Sequence, residues 1–343
     1  MRGGGTVACW LALSLWVHAG DAASLEDPAQ TLIVLAAPAA NDPYYRPLRR
    51  DILDFQTAFA KAILGRDNVV ILGDRATVRE LARELPAEIL LEAPQRDIWV
   101  RDFFPVPAGH PVLFRYSAAA QHGNQKDADW VQAGFLRLAR RFDLEFQRVP
   151  WILDGGNVVD NGSGQAIVTD RFLTDNVLDR AQGMAVLRET LGCDRMAILP
   201  ADPDDRLGHA DGLASFIASN TVALTRYEGA FRKTMRRTLR AAFPGIRILE
   251  LESPLDAAAF DPEYGSARGL YVNATVTDRY LYLPVYGLAA DDRAVQQIRA
   301  ATDREVVPVD AHRIAALGGS VRCLSAQLKG TNARKLMAAA QRR

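Results

Sequence analysis

Four short segments set polar side chains beside glycines and apolar flanks in patterns that chemistry can use. The first is Arg96-Asp97-Ile98-Trp99-Val100-Arg101-Asp102-Phe103-Phe104-Pro105. Charged and apolar residues alternate there and a proline ends the run, which predicts an extended stretch entering a turn. A carboxylate at Asp102 near an indole at Trp99 suits a cation, because the acid accepts its hydrogen bonds and the ring face attracts its charge. The same residues would also serve as a core tryptophan beside an Asp–Arg pair. The second segment, Leu153-Asp154-Gly155-Gly156-Asn157, puts an acid before two glycines whose missing Cβ lets the backbone approach another group closely. An ordinary tight turn is the alternative. Asn161-Gly162 beyond it predicts a hairpin, and the lack of a following Gly-Lys-Ser/Thr argues against a phosphate cradle.

The third segment is Leu207-Gly208-His209-Ala210-Asp211-Gly212. Read as a strand, it turns residues i and i+2 to one side, so His209 and Asp211 would present a proton carrier and an anion together. A lone hydrogen-bonded histidine is the plainer reading. The fourth is Leu317-Gly318-Gly319-Ser320-Val321-Arg322-Cys323-Leu324-Ser325. A cysteine after Gly-Gly, at the head of a strand-like run over 324–328, could sit on a loop rim, where an imidazolium or a cationic ligand would favour its thiolate. Taken alone it reads as a buried thiol before anything else. Cys193, between a helical stretch and an apolar strand, is read as a small buried hydrophobe. Once a leader is removed the histidines are His110, His122, His209 and His312, without His-x-x-x-His or Cys-x-x-Cys spacing. No metal site is expected.

The elements that must position these segments follow an alternation of short apolar runs and amphipathic stretches. Strands are predicted over 31–35, 68–72, 145–149, 195–199, 246–251 and 305–309. Helices are predicted over 46–64, 76–85, 128–141, 179–191, 230–243 and 291–301. Paired strands are read at 213–217 with 221–225 and at 271–276 with 280–283, and residues 331–343 as a helix with a basic, solvated end. The alternation implies an α/β fold with short connections and units of roughly 50–60 residues, an internal structural repeat. No boundary divides residues 24–343, which are read as a single domain.

Composition narrows the partners. The chain has 343 residues, 49% of them hydrophobic, enough for a large core. Lys+Arg and Asp+Glu are each 41, so the net charge is zero and a general nucleic-acid footprint is absent. A cationic substrate must then be met by local carboxylates. Residues 1–23 read as a signal peptide: Arg2, an apolar run over 7–17, then Val17-His18-Ala19 and Asp21-Ala22-Ala23 as cleavage-like sites. The run is shorter than the about 20 residues that span a bilayer, and Cys9 lacks the leucine of a lipobox. Export to the periplasm or the medium is expected, with no membrane attachment after processing.

In this order, Trp99-x-x-Asp102, Asp154-Gly155-Gly156-Asn157, Gly208-His209-x-Asp211 and Gly318-Gly319-x-x-x-Cys323 resemble the agmatine deiminase and bacterial-type peptidylarginine deiminase family. Tyr271-Val272-Asn273 and Leu283-Pro284-Val285-Tyr286-Gly287 resemble a further block, and the likeness runs from about residue 30 to about residue 330. The resemblance implies a five-bladed, pseudo-symmetric α/β propeller of the pentein kind. It implies hydrolytic deimination of a guanidino substrate, giving a ureido product and ammonia, with no metal or organic cofactor. Cys323 would match the nucleophile, His209 the general acid/base, and Asp102 and Asp211 the carboxylates that grip the guanidinium. Trp99 would line the substrate site, with Asp154 and Asn273 in support. The implied substrate is a small guanidino amine such as agmatine, with peptidyl or free arginine as the alternative. A non-catalytic guanidine- or polyamine-binding homologue is the reading from another class. Four departures bear on substrate choice. Arg322 replaces the histidine common before the nucleophile, and Asp154 replaces a glutamate. Residues 116–125 lack the Asn-Ala-Trp-Gly-like segment of agmatine-specific members, and Arg115 is a lone candidate for an arginine pair found in peptidylarginine-directed ones.

Overall fold

The computed structural model describes residues 31–254 and 265–342; the leader-like segment at 1–23 lies outside the described residues. The N-terminal run of β-branched and leucine residues forms β1 (Leu32–Ala36), buried along its whole length. It is followed by α1 (Arg49–Ile63), β2 (Asn68–Gly73), α2 (Arg75–Leu81), β3 (Leu90–Glu92) and the short α3 (Val100–Phe103). Next come β4 (Val112–Arg115), α4 (Gln125–Phe142) and β5 (Gln147–Ile152), then β6 (Val159–Asp160), β7 (Gln165–Thr169), α5 (Arg171–Asn176), α6 (Arg180–Leu191) and β8 (Arg195–Leu199). The chain continues through β9 (Ala214–Ala218), β10 (Thr221–Thr225), α7 (Gly229–Ala242) and β11 (Arg247–Leu251). It ends with β12 (Thr275–Val276), β13 (Tyr280–Val285), α8 (Asp291–Arg299), β14 (Glu305–Asp310), β15 (Ala326–Leu328) and α9 (Gly330–Gln341).

Among the described residues these strands make five small sheets, ordered β15-β1-β2-β3, β4-β5, β6-β7-β8, β9-β10-β11 and β12-β13-β14. All five are built on one plan. A strand, a helical crossover and a parallel strand form the centre: β1-α1-β2, β4-α4-β5, β7-α5-α6-β8, β10-α7-β11 and β13-α8-β14. An antiparallel strand flanks the first strand in four of them, and a single bridge between Val106 and Val112 does so in the fifth. The repeat read from the spacing of apolar runs is this unit. β15 pairs with β1, so the last strand of the chain completes the first sheet.

Helix faces follow the sequence pattern. Ile52, Phe55, Phe59 and Ile63 recur at three- and four-residue spacing on α1 and are buried. Asp179 caps α6 and Gln182 returns the bond, a capping box. α9, expected to have a solvated basic end, buries Ala333, Leu336 and Met337, while Lys335 pairs with Asp143 and Glu145. Cys193 packs with Leu187, Leu191 and Met196, and burial pushes its thiol up to about 11.

Three local expectations are corrected. Residues 96–104 do not run extended throughout: α3 occupies Val100–Phe103, and Phe104, which Pro105 bars from helical geometry, is extended. Residues 207–212 are not a strand, because Gly208 takes a positive φ of 63° and Ala210–Gly212 form one 3-10 turn. The strand read over 271–276 is reduced to β12, with Tyr271 and Val272 in a turn and Asn273 and Ala274 in irregular backbone.

Candidate active site

All the singled-out residues lie in links that carry the chain from one sheet to the next. Trp99 and Asp102 lie between β3 and β4, Asp154 between β5 and β6, and His209 and Asp211 between β8 and β9. Asn273 lies between β11 and β12, and Cys323 between β14 and β15. Five separate links therefore meet at one place.

Cys323 Sγ is 4.0 Å from Asp211 Oδ2 and accepts a 3.2 Å hydrogen bond from Asn273 Nδ2, while the Cys323 N–H donates back to Asn273 Oδ1 at 3.3 Å. Asn273 thus holds the cysteine at both its sulfur and its backbone. Asp102 Oδ1 accepts from the Gly156 N–H at 3.0 Å and lies 3.7 Å from His209 Nδ1. The other ring nitrogen, Nε2, is 3.0 Å from Asp154 Oδ2. Asp154 also accepts from the Ser117 N–H at 2.7 Å and from its hydroxyl at 2.6 Å. The 3-10 turn explains how two residues so close in sequence serve different partners. Side chains at i and i+2 diverge in it, so His209 reaches Asp154 and Asp102 while Asp211 reaches Cys323. Trp99 and Cys323 are partly exposed; Asp102, Asp154, His209, Asp211 and Asn273 are buried. The sulfur and the indole therefore form the face of the cluster nearest solvent.

Charge is concentrated beneath that face. Burial raises the Asp102 carboxyl to about 7, partly opposed by His209 and reinforced by Asp154 and Asp211. Burial alone would favour neutral His209, but Asp102 and the hydrogen-bonded Asp154 outweigh it and lift the imidazole to about 10. At neutral pH His209 is an imidazolium. Burial, then the Asp211 and Asp102 carboxylates, push the Cys323 thiol well above its ordinary value. Such a site keeps a thiol while empty and gains from a cation placed between sulfur and acids. Among the described residues no group of three or more His, Cys, Asp and Glu side chains has the geometry to hold a metal ion.

The glycines of the motifs have a packing reason. A Cβ on Gly156 would lie 2.6 Å from both Asp102 Oδ1 and His209 Nδ1, and one on Gly319 would strike the Trp99 ring. Gly156→Ala is therefore expected to part Asp102 from His209 and lower kcat/KM about a hundredfold, as misplacements of this size do. Steady-state kinetics beside a thermal melt checks this; unchanged kcat/KM would mean that the Asp102–His209 spacing is immaterial. Three residues of the site carry no role in it that the sequence assigned. Ser117, which anchors Asp154, sits in a segment notable only for what it lacks. Arg101 and Arg322 are buried beneath the site, and burial together with the Arg322 charge lowers Arg101 to about 9. Arg322 Nη1 donates to Asp211 Oδ2 at 2.8 Å. Buried arginines inside two of the motifs were the available signal.

The family model for Porphyromonas-type peptidyl-arginine deiminase matches residues 24–328. The chain is 25% identical to an agmatine deiminase of Pseudomonas putida over 312 residues, covering 78% of this chain and 84% of that one. Among solved structures it is similar to C. jejuni agmatine deiminase, with a TM-score of 0.74 at 22% identity over 88% of this chain and 94% of that one. An agmatine deiminase of Enterococcus faecalis superposes with a TM-score of 0.72 at 19% identity, covering 90% and 96%. With its motifs in order and the match running through nearly the whole α/β domain, the chain belongs to the Porphyromonas-type peptidyl-arginine deiminase family, a family of amidine C–N hydrolases.

Proposed function

We propose that the protein hydrolyses a guanidino substrate to a ureido product and ammonia through a covalent thiouronium intermediate on Cys323. The observation that carries this reading is the convergence of a partly exposed thiol 4.0 Å from Asp211 with a buried imidazolium bracketed by Asp102 and Asp154. A guanidinium stays protonated at physiological pH, so it needs anions, and Asp102 and Asp211 offer paired charge-assisted hydrogen bonds. Trp99 covers its flat face.

The cation offsets the two carboxylates that disfavour the thiolate, and the Cys323 proton leaves to solvent. The sulfur lone pair attacks the guanidinium carbon, forming a C–S bond and a tetrahedral adduct. His209 gives its proton to one terminal nitrogen, the C–N bond breaks, and ammonia departs. The imidazole, now neutral, takes a proton from water as its oxygen attacks the thiouronium carbon. The C–S bond then breaks, releasing the ureido product and the thiol. Asp154 keeps the imidazole oriented, and Asn273 keeps the sulfur in place.

Agmatine is the favoured substrate, supported by relatives and fold neighbours that bear the name agmatine deiminase. Peptidyl or free arginine is the second candidate, favoured by the apparent leader at 1–23. Parallel assays of ammonia release from agmatine, arginine and an arginine peptide separate them; release from none of the three would count against the deiminase reading. The five like sheets, whose links meet at one site, support a five-bladed pseudo-symmetric propeller. Export as a processed protein completes the reading, and N-terminal sequencing of the chain from a fractionated host tests it.

The acid side of the pH profile follows from Asp102. Below about 7 its carboxyl is protonated and cannot grip a cation, and Cys323 also keeps its proton. kcat/KM is therefore expected to fall toward about a hundredfold per pH unit below about pH 7, a factor of ten for each of the two protons that must be lost. A profile flat from about pH 5 to pH 8 would remove Asp102 from the recognition of charge.

A further inference from the structure

We propose that Arg322 is a positioning residue, the resident counter-cation of Asp211, which holds that carboxylate against the nucleophile turn and offsets its charge at the Cys323 sulfur.

The geometry is specific to Asp211. The Arg322 guanidinium is buried; Nη1 donates to Asp211 Oδ2 at 2.8 Å and Nη2 to the Val158 carbonyl at 2.7 Å. The Arg322 N–H donates to the Asn273 carbonyl at 3.2 Å, and its own carbonyl accepts from Arg101 Nε at 3.4 Å and from the Ser325 N–H at 3.0 Å. One residue thus ties its own link to the other four. Asp211 Oδ2, the atom that Arg322 grips, is also the oxygen 4.0 Å from Cys323 Sγ. A cation and a nucleophile therefore share one carboxylate oxygen.

A guanidinium is suited to this place. It keeps its charge, its planar fork makes two directed bonds, and it tolerates burial better than an ammonium. The charged groups around the sulfur are the anions Asp211 and Asp102 and the cations His209, Arg101 and Arg322, with the Tyr286 phenol held neutral by burial. His209 is occupied by Asp154 and Asp102, and Arg101 by the Arg322 carbonyl and Gln327. Both act on Asp211 through space, and among the described residues Arg322 is the cation that hydrogen-bonds the acid nearest the sulfur. Removing its charge leaves that anion less compensated, and the thiolate becomes harder to form.

The turnover part of the test rests on the deiminase reading; the chemical part does not. The full chain and its Arg322→Lys, Arg322→Gln and Arg322→Met variants are alkylated with iodoacetamide, a neutral reagent, between about pH 7 and pH 9.5, and Cys323 modification is followed by peptide mass mapping. Loss of the charge is expected to displace the rising limb of log rate against pH by about one unit or more, so Gln and Met react about tenfold slower at each pH. Lysine, which keeps the charge but not the bond to Val158, is expected to stay within about threefold of the parent. A glutamine variant that reacts at the parent rate, or a lysine variant as slow as the neutral ones, would overturn the proposal. Should the methionine variant not fold, glutamine keeps N–H donors and serves alone. With agmatine, kcat/KM is expected to fall about tenfold in the glutamine variant and to recover with lysine. A parent chain that turns over no guanidino substrate would count against the deiminase reading while the alkylation rates still decide the role of Arg322.

Discussion

Cys323→Ala is expected to lower kcat for ammonia release by about four orders of magnitude or more, with the fold intact. The loss should be so complete because no other thiol among the described residues is placed to replace the sulfur. Cys193, the other free cysteine among the described residues, is packed in a separate core cluster with its thiol pushed up to about 11. The cost to folding should be small. The Cys323 side chain is partly exposed and gives up the hydrogen bond from Asn273 Nδ2 and the long 4.0 Å one to Asp211 Oδ2, while the Cys323 N–H can still donate to Asn273 Oδ1. Such a bond contributes about 1 kcal/mol. An ammonia assay beside a thermal melt checks both halves. Ammonia release at the parent rate would take the thiol out of the mechanism.

The second large effect is expected from His209→Asn, which should cut kcat by about a thousandfold, within the usual range for a general acid and base. The ammonia leaving group needs a proton, and His209 is the buried cation that Asp102 and Asp154 keep charged up to about 10. Substrate binding should respond in the opposite sense. Removing an imidazolium leaves Asp102 and Asp154 less compensated, so a guanidinium should bind as tightly as before or more so. Steady-state kinetics should then show a collapse of kcat with KM unchanged or lower. A kcat within about tenfold of the parent would move the proton transfers to another group.

Much of the scaffold was legible because its signals are local. The apolar run of β1 and the three- and four-residue spacing on α1 reflect burial along one segment, and burial is what a linear pattern records. The hairpin at Asn161-Gly162 was legible for a similar reason, since Gly162 takes the positive φ its turn requires. The motif residues were legible as types. Their directions were not, because in links a single backbone torsion decides them. Alternation suggested a strand for His209 and Asp211, yet Gly208 breaks it, and Asn157 Oδ1 binds the Ala210 N–H of the turn. The pair therefore splits, one toward the proton chemistry and one toward the sulfur. Ser117 under Asp154 and Arg322 on Asp211 were out of reach, since 37 and 111 positions separate the partners and only the meeting of separate sheets joins them.

The proposed reaction requires a bond between Cys323 and the guanidino carbon. Acid quenching during turnover of agmatine, followed by intact mass and peptide mapping, reads that bond. The expected result is a species heavier by the substrate less one ammonia, mapped to the peptide that holds Cys323 and absent from Cys323→Ala. An adduct on another residue, or steady ammonia release with the cysteine unmodified at every quench time, would contradict it.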